Sequence, residues 1–170
     1  MRRLAILLLL GAALPAAAAN SYSLTVTNAL TFSPRNPIAF PNVPGDASVI
    51  ATIFIVNPQR ENLSLSVQAL TPNLTSAAGD NIAVGTMSWS VSSATWVHSR
   101  PPQNQATFTI QPGAAVSTTA VKTVTGNDGR AQSTTDTVTG TVVQDFLFQN
   151  SWLYSTGAYA ATLRWTLTTP

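Results

Sequence analysis

The chain has 170 residues, with eight Lys and Arg, six Asp and Glu, one His and no Cys. Charged residues make up 8% of it, against a usual share of about 25%, which excludes a highly charged disordered tail. The lack of Cys excludes a disulfide scaffold, a thiolate zinc site, an iron–sulfur site and a cysteine nucleophile.

The start of the chain has the pattern of a secretory signal peptide. Two Arg follow the initiating Met, the run 4–10 is apolar, and Ala fills positions 16–19. A basic start, an apolar run and an Ala-x-Ala site are typical of a cleaved export signal. A retained membrane anchor is less favoured, because the apolar run is shorter than the about 20 residues that span a bilayer. The sequence therefore predicts a signal peptide over 1–19 and one domain over 20–170.

Cleavage after Ala19 would change the charge balance. Two Arg leave with the signal peptide, so six cations remain against six carboxylates and the net charge is zero. Without a basic patch, nucleic acid and anionic membranes are poor partners, while near-zero charge favours self-association. The longest later apolar run, Val49–Val56, fits a buried strand, so we expect no membrane span in the mature chain. With no Cys for a lipid anchor, the secreted protein is expected to be held non-covalently at the cell surface or in the periplasm.

The remainder of the chain alternates between apolar and polar residues with the period of a β-strand. The alternation is clear over 22–27, 63–68, 107–110 and 159–168, and turn signals such as Gly-Asn-Asp-Gly at 126–129 separate the runs. Seven to nine short strands in about 150 residues indicate an all-β, antiparallel β-sandwich. An Ig-like topology is the first choice and a jelly roll the second.

The first segment of the mature chain, 20–27, has two interpretations. It is the first strand of its own domain, which pairing between segments close in the chain favours. Alternatively it adds to an open sheet edge of a neighbouring copy, with Tyr22, Leu24 and Val26 as the inserted side chains. The second interpretation predicts a homo-oligomer, either a self-assembling fibre or a surface-layer subunit.

Residue types that carry catalysis or bind metals are few and scattered. His98 is the only His, and the chain has no Gly-x-Ser-x-Gly elbow, so neither a serine triad nor a multi-histidine metal site is indicated. Asp80 and Asp128 suit turns, although a fold could bring two of the carboxylates Asp80, Asp128, Asp136 and Asp145 across a groove, as a glycosidase requires. The sequence therefore predicts no enzyme activity, no cofactor and no metal.

Aromatic side chains are better candidates for binding. Trp96, Trp152 and Tyr154 lie near predicted loops, where aromatic rings stack on sugars or anchor a protein partner. The alternative is that they fill the core, as we expect of Trp89 and Trp165. Trp96, Trp152 and Tyr154 are therefore the candidate ligand-binding residues, and a carbohydrate-binding module is an alternative function.

The end of the chain, Gly-Ala-Tyr-Ala-Ala-Thr-Leu-Arg-Trp-Thr-Leu-Thr-Thr-Pro over 157–170, resembles the closing strand of bacterial WxL-domain surface proteins. Trp165 and Leu167 match the family's Trp-x-Leu motif, whereas the strand at 63–67, equivalent to the earlier motif, has no Trp. The resemblance implies a β-sandwich attached non-covalently to the cell envelope, with peptidoglycan as ligand. We therefore expect an exported, non-enzymatic cell-surface protein with a structural or adhesive role, whose partner is a cell-wall polymer or a surface protein.

Overall fold

The computed structural model describes residues 19–27, 30–32, 36–154 and 158–169. The predicted signal peptide, except for its last residue, and Gly157 and Pro170 of the closing motif lie outside the described residues. Thirteen strands and one 3-10 turn, at Val84–Thr86, occur in the described part of the chain. The strands are β1 (Ser21–Thr27), β2 (Asn42–Pro44), β3 (Val49–Val56), β4 (Asn62–Ala69), β5 (Asn73–Ser76), β6 (Asn81–Ala83), β7 (Met87–His98), β8 (Thr107–Ile110), β9 (Ala114–Ala115), β10 (Val121–Asn127), β11 (Thr137–Gln149), β12 (Tyr159–Ala160) and β13 (Leu163–Thr168).

The strands form antiparallel sheets. The larger sheet has the order β1-β3-β11-β7-β9, and β2 pairs with the end of β11. The smaller sheet has the order β13-β4-β10-β8, and the short strands β12, β5 and β6 form a third. The all-β antiparallel sandwich predicted from the sequence is confirmed.

Alternation in the sequence predicts seven to nine strands, fewer than the thirteen observed in the described residues, because very short strands show little alternation. Seven of the described strands have six or more residues, and the other six have four or fewer. Numbered among the seven long strands only, the larger sheet has the order 1-2-6-4 and the smaller 7-3-5. In the Ig constant-type arrangement the fifth strand lies in the sheet of strands 1, 2 and 4, and the sixth in the other. In this protein the fifth long strand, β10, lies in the smaller sheet and the sixth, β11, lies in the larger, which is the reverse of the Ig arrangement.

The core lies between the two large sheets. Ala51 and Val142 of the larger sheet meet Leu65 and Val124 of the smaller, and none of the four has solvent exposure. Burying a Val or Leu side chain contributes about 1.5–3 kcal/mol, so this contact is a main source of stability. The run Val49–Val56 is a central strand, with β1 on one side and β11 on the other, as its apolar composition predicts.

The outer face of the larger sheet is rich in hydroxyl side chains. The register places Thr25 beside Thr52, Thr52 beside Thr141, and Thr141 beside Thr95, so four threonines form one row across four strands. Neighbouring rows carry Ser, Thr, Val, Ile and Phe, and none of their residues is charged. The rows that cross β1, β3, β11 and β7 therefore form an uncharged part of the outer face, and the outward charge on β11, Asp145, lies beyond them.

Candidate functional site

Two loops meet at one end of the larger sheet. The first, 36–41, precedes β2, and the second, 150–154, follows β11; pairing of β2 with the last residues of β11 brings them together. Asn150 joins the loops, because its backbone N–H donates to the Pro41 carbonyl at 2.8 Å and its Nδ2 to the Phe40 carbonyl at 3.3 Å. Backbone acceptors thus fix the position of both loops.

These loops present four large apolar side chains to solvent. Ile38 is 80% exposed, Phe40 44%, Trp152 68% and Leu153 91%. We call these four residues the end patch. They are four of the nine exposed large hydrophobic residues in the described part of the chain, and the segments around them, 36–44 and 147–154, contain no charged residue. An exposed apolar surface of this kind is a feature of interaction sites.

The turn that carries Trp152 is closed by local hydrogen bonds. The Tyr154 N–H donates to the Ser151 carbonyl at 3.3 Å, and the Leu153 N–H donates to the Ser151 hydroxyl at 3.2 Å. Tyr154 is half-buried, and its ring centre lies 5.6 Å from that of Phe148. Of the two neighbouring candidate aromatics, Trp152 therefore faces solvent, while Tyr154 packs beneath the turn.

Trp96, the third candidate, lies towards the other end of β11. Its ring stacks on Phe108 with centres 3.9 Å apart and an angle of 10° between the planes. It lies over Gly140, where an added Cβ would come within 2.5 Å of the ring. Trp96 therefore packs as part of the sandwich, and the structure does not bring it together with Trp152.

The first strand pairs within its own domain. β1 is antiparallel to β3 over its whole length, from Ser21 opposite Val56 to Thr27 opposite Ile50. Its candidate residues Tyr22, Leu24 and Val26 are half-buried and pack against the core between the sheets.

Tyr22 also reaches a buried carboxylate. Its hydroxyl donates to Oδ2 of Asp128 at 3.1 Å, and Oδ1 of Asp128 accepts the Glu61 backbone N–H at 2.6 Å. Asp128 has no solvent exposure, and burial raises its pKa above the ordinary value. Burial likewise raises the pKa of Tyr22 to about 12. Asp128 thus binds backbone at a turn, as its residue type predicts.

The other candidate carboxylates lie in separate local networks. Asp80 binds Ser76 in a tight turn, and Asp145 accepts from the Ser48 hydroxyl at 2.5 Å. Asp136 is buried and accepts two backbone N–H groups of its own loop. In the described residues, no group of three or more His, Asp or Glu side chains is placed to hold a metal ion.

Two carboxylates share a cavity, which was not apparent from the sequence. Asp46 and Asp145 both line a cavity of about 350 Å³ between the 44–48 turn and β11. Asp46 accepts hydrogen bonds from the Thr31 hydroxyl and N–H, which lower its pKa. The two residues are far apart in the chain, so only the pairing of distant strands reveals that they share a cavity.

His98 makes a backbone contact. Its Nε2 accepts the Ala106 N–H at 3.4 Å, and burial lowers its pKa. The side chain therefore links the end of β7 to the segment before β8.

The closing motif lies in the sandwich. Trp165 and Leu167 are half-buried on the inner face of β13, and the Trp165 Nε1–H donates to Oε1 of the fully buried Gln144. Alternate residues of β13 point to solvent, as the sequence pattern predicts.

A polar groove of about 630 Å³ crosses the outer face of the smaller sheet. Its side chains are mostly hydroxyls and amides from β4, β8, β10 and β13, together with one acid and one amine. They include Glu61, Asn62, Ser64, Thr107, Thr109, Lys122, Thr125, Asn127 and Thr168. Outward polar residues on four different strands give no joint signal in the sequence, so the groove was not expected.

Within the described residues there is no helix with the length and hydropathy needed to cross a bilayer. Comparison of the chain with protein-family models, with curated proteins and with solved structures gives no significant match.

Proposed function

We propose that this protein is an exported, non-enzymatic β-sandwich of the cell surface, with a structural or adhesive role, and that the end patch attaches it to a cell-wall polymer. The observation that carries the proposal is the exposure of Trp152 and Leu153 on a turn fixed to the neighbouring loop. The basic and apolar start of the chain supports export. The Trp-x-Leu resemblance at Trp165 and Leu167 supports a wall polymer as ligand.

The chemistry of the end patch suits the sugar rings of a wall polymer. An exposed indole such as that of Trp152 stacks on the apolar face of a sugar ring, and Leu153, Ile38 and Phe40 add apolar area around it. The absence of charge in both loop segments avoids desolvating an unpaired ion on contact. Because the loops are already joined by Asn150, binding loses little conformational entropy.

Pelleting with purified peptidoglycan tests this proposal. The protein should sediment with the polymer, and Trp152→Ala or Leu153→Ser should raise the dissociation constant by about tenfold, as expected for a contact worth about 1.4 kcal/mol. Leu70→Ser is the matched control, because Leu70 is also an exposed Leu on a turn, at 50% exposure, and lies outside the two loops. Retention unchanged by both patch substitutions, or lowered equally by the control, would show that the end patch is not the attachment site.

A carbohydrate-binding module that uses the polar groove is the second candidate, favoured by the hydroxyl and amide side chains that line it. These groups exchange hydrogen bonds with sugar hydroxyls. Here Asn62→Ala and Thr168→Val should weaken binding to a soluble neutral glycan, while Leu153→Ser leaves it unchanged. The opposite pattern would support the end patch and reject the groove.

A further inference from the structure

The first strand leaves one edge of the larger sheet open. In the part of the chain that the structure describes, β3 is the only strand hydrogen-bonded to β1. β1 has seven residues, none of them charged and none Pro, and its register with β3 is continuous. Natural sheet edges are usually protected by charged residues, Pro, bulges or short length. β1 has none of these protections, and no described strand pairs with its open side, so the N–H and C=O groups on that side can pair with another strand.

We propose that this edge pairs antiparallel with β1 of a second copy, joining two larger sheets about a two-fold axis. This inference goes beyond attachment through the end patch and does not depend on it. A two-fold contact requires a surface that complements itself. An antiparallel pair of identical strands meets this requirement in its backbone, because each strand offers the same alternation of donors and acceptors.

The side chains of β1 are also self-complementary. In a pair centred on Leu24, that residue lies opposite its own copy, Tyr22 lies opposite Val26 of the second copy, and Ser23 lies opposite Thr25. Apolar side chains thus meet apolar ones on the inner face, and hydroxyls meet hydroxyls on the outer face. Aromatic with β-branched pairs, and Ser with Thr pairs, are favourable across strands.

The burial of β1 fits an edge that a second copy covers. Its inner side chains are only half-buried, although they pack against the core between the sheets. Pairing would cover the sides of Tyr22, Leu24 and Val26 that face the open edge. The uncharged rows of the outer face would then continue from one copy into the next, with no like-charge contact to oppose them.

The other long edges in the described residues are less suited to this contact. β7 is bulged at Ser92, and β9 already pairs with it at Ser88 and Trp89. β13 carries Arg164 among its outward residues. β1 is therefore the edge on which self-pairing meets the fewest obstacles.

Sedimentation velocity over a range of concentrations tests the proposal. The unchanged protein should show a monomer–dimer equilibrium. The double variant Ser23→Lys with Thr25→Lys places like charges opposite each other across the proposed contact, so the dissociation constant should rise by about tenfold or more. Ser93→Lys with Thr95→Lys is the matched control, since it makes the same two substitutions, also two residues apart, at exposed positions of the same outer face. The control should dimerise like the unchanged protein.

A charge-reversed variant separates repulsion from misfolding. Ser23→Asp with Thr25→Asp should also be monomeric alone, and mixing it with the lysine variant should restore a dimer, because each Lys then faces an Asp. A monomer at every concentration in the unchanged protein would overturn the proposal. So would loss of assembly in both the β1 variant and its β7 control, which would indicate head-to-tail pairing of β1 with β7, or failure of the mixture to dimerise when circular dichroism shows both variants folded.

Discussion

The hydroxyl of Tyr22 donates a hydrogen bond of 3.1 Å to Oδ2 of Asp128, a carboxylate with no solvent exposure. The two residues are 106 positions apart in the chain. Because Oδ1 of Asp128 also accepts the Glu61 N–H, one carboxylate fixes the first strand and the turn before β4 to the end of β10. Buried carboxylates need such donors, since an ionised group without partners is costly to bury.

Tyr22→Phe should lower the free energy of unfolding by about 1–3 kcal/mol. The substitution keeps the ring that packs in the core but removes a donor from the buried carboxylate of Asp128. Urea unfolding monitored by circular dichroism measures the change. Tyr154→Phe is the control, because it removes a hydroxyl from another half-buried tyrosine without touching Asp128. Equal losses of unfolding free energy in the two variants would show that the hydrogen bond to Asp128 stabilises the fold no more than the hydroxyl of Tyr154 does.

The same pair predicts how stability depends on pH in alkaline solution. Burial raises the pKa of Tyr22 from 10.0 to about 12 in the folded protein, so the folded chain keeps a proton that the unfolded chain loses. Stability therefore falls as the pH rises from 10 to 12, and Tyr22→Phe should lack this part of the fall. Phenolate absorbance should show one tyrosine of the folded protein ionising late. A Tyr22→Phe titration that retains this late step would assign it to another tyrosine.

Gly140→Ala should destabilise the fold by about 1–3 kcal/mol through overpacking. An added Cβ at Gly140 would lie 2.5 Å from Cζ3 of Trp96 and 3.0 Å from Cζ of Phe108, which hold each other in a stack. Thermal unfolding measures the loss. Gly85→Ala is the control, because the nearest atom to its Cβ, the Val116 carbonyl oxygen, is 3.9 Å away. A Gly140→Ala variant as stable as this control would mean that the stack can shift without cost.

Sequence patterns predicted the parts of the fold that depend on local alternation. Residues 159–168 alternate between inward and outward positions, and Val49–Val56 is a central strand. Both features depend only on the order of apolar and polar residues within the segment, so the sequence of that segment predicts them. The order of strands in the sheets depends on pairing between distant segments. For this reason the exchange of the fifth and sixth long strands relative to the Ig arrangement had no sequence signal.

The candidate site was predicted in part for the same reason. Trp152 was selected as an aromatic near a turn, and the structure places it in solvent. Its companions Ile38 and Phe40 lie in a Pro-rich loop without alternation, so nothing local marked them as exposed neighbours. Their loop is joined to the loop of Trp152 by the pairing of β2 with β11 and the hydrogen bonds of Asn150. Trp96 has the same local context as an exposed aromatic, and only its contacts with Phe108 and Gly140 on other strands show that its ring packs in the sandwich.

The hydrogen bond between Trp165 of the closing motif and Gln144 can be tested by changing each partner in turn. Trp165→Phe leaves the fully buried Gln144 amide without the donor of its Oε1, and its Nε2 already has no partner among the described residues, so this variant should lose about 1–3 kcal/mol of stability. Gln144→Met replaces the amide by an apolar side chain of similar shape, so adding it to Trp165→Phe should recover stability. Urea unfolding of the two single variants and the double variant measures the coupling, expected at about 0.5–3 kcal/mol. If the losses of the single variants simply add, the Trp165 N–H contributes nothing through Gln144, and Trp165 stabilises the sandwich by packing alone.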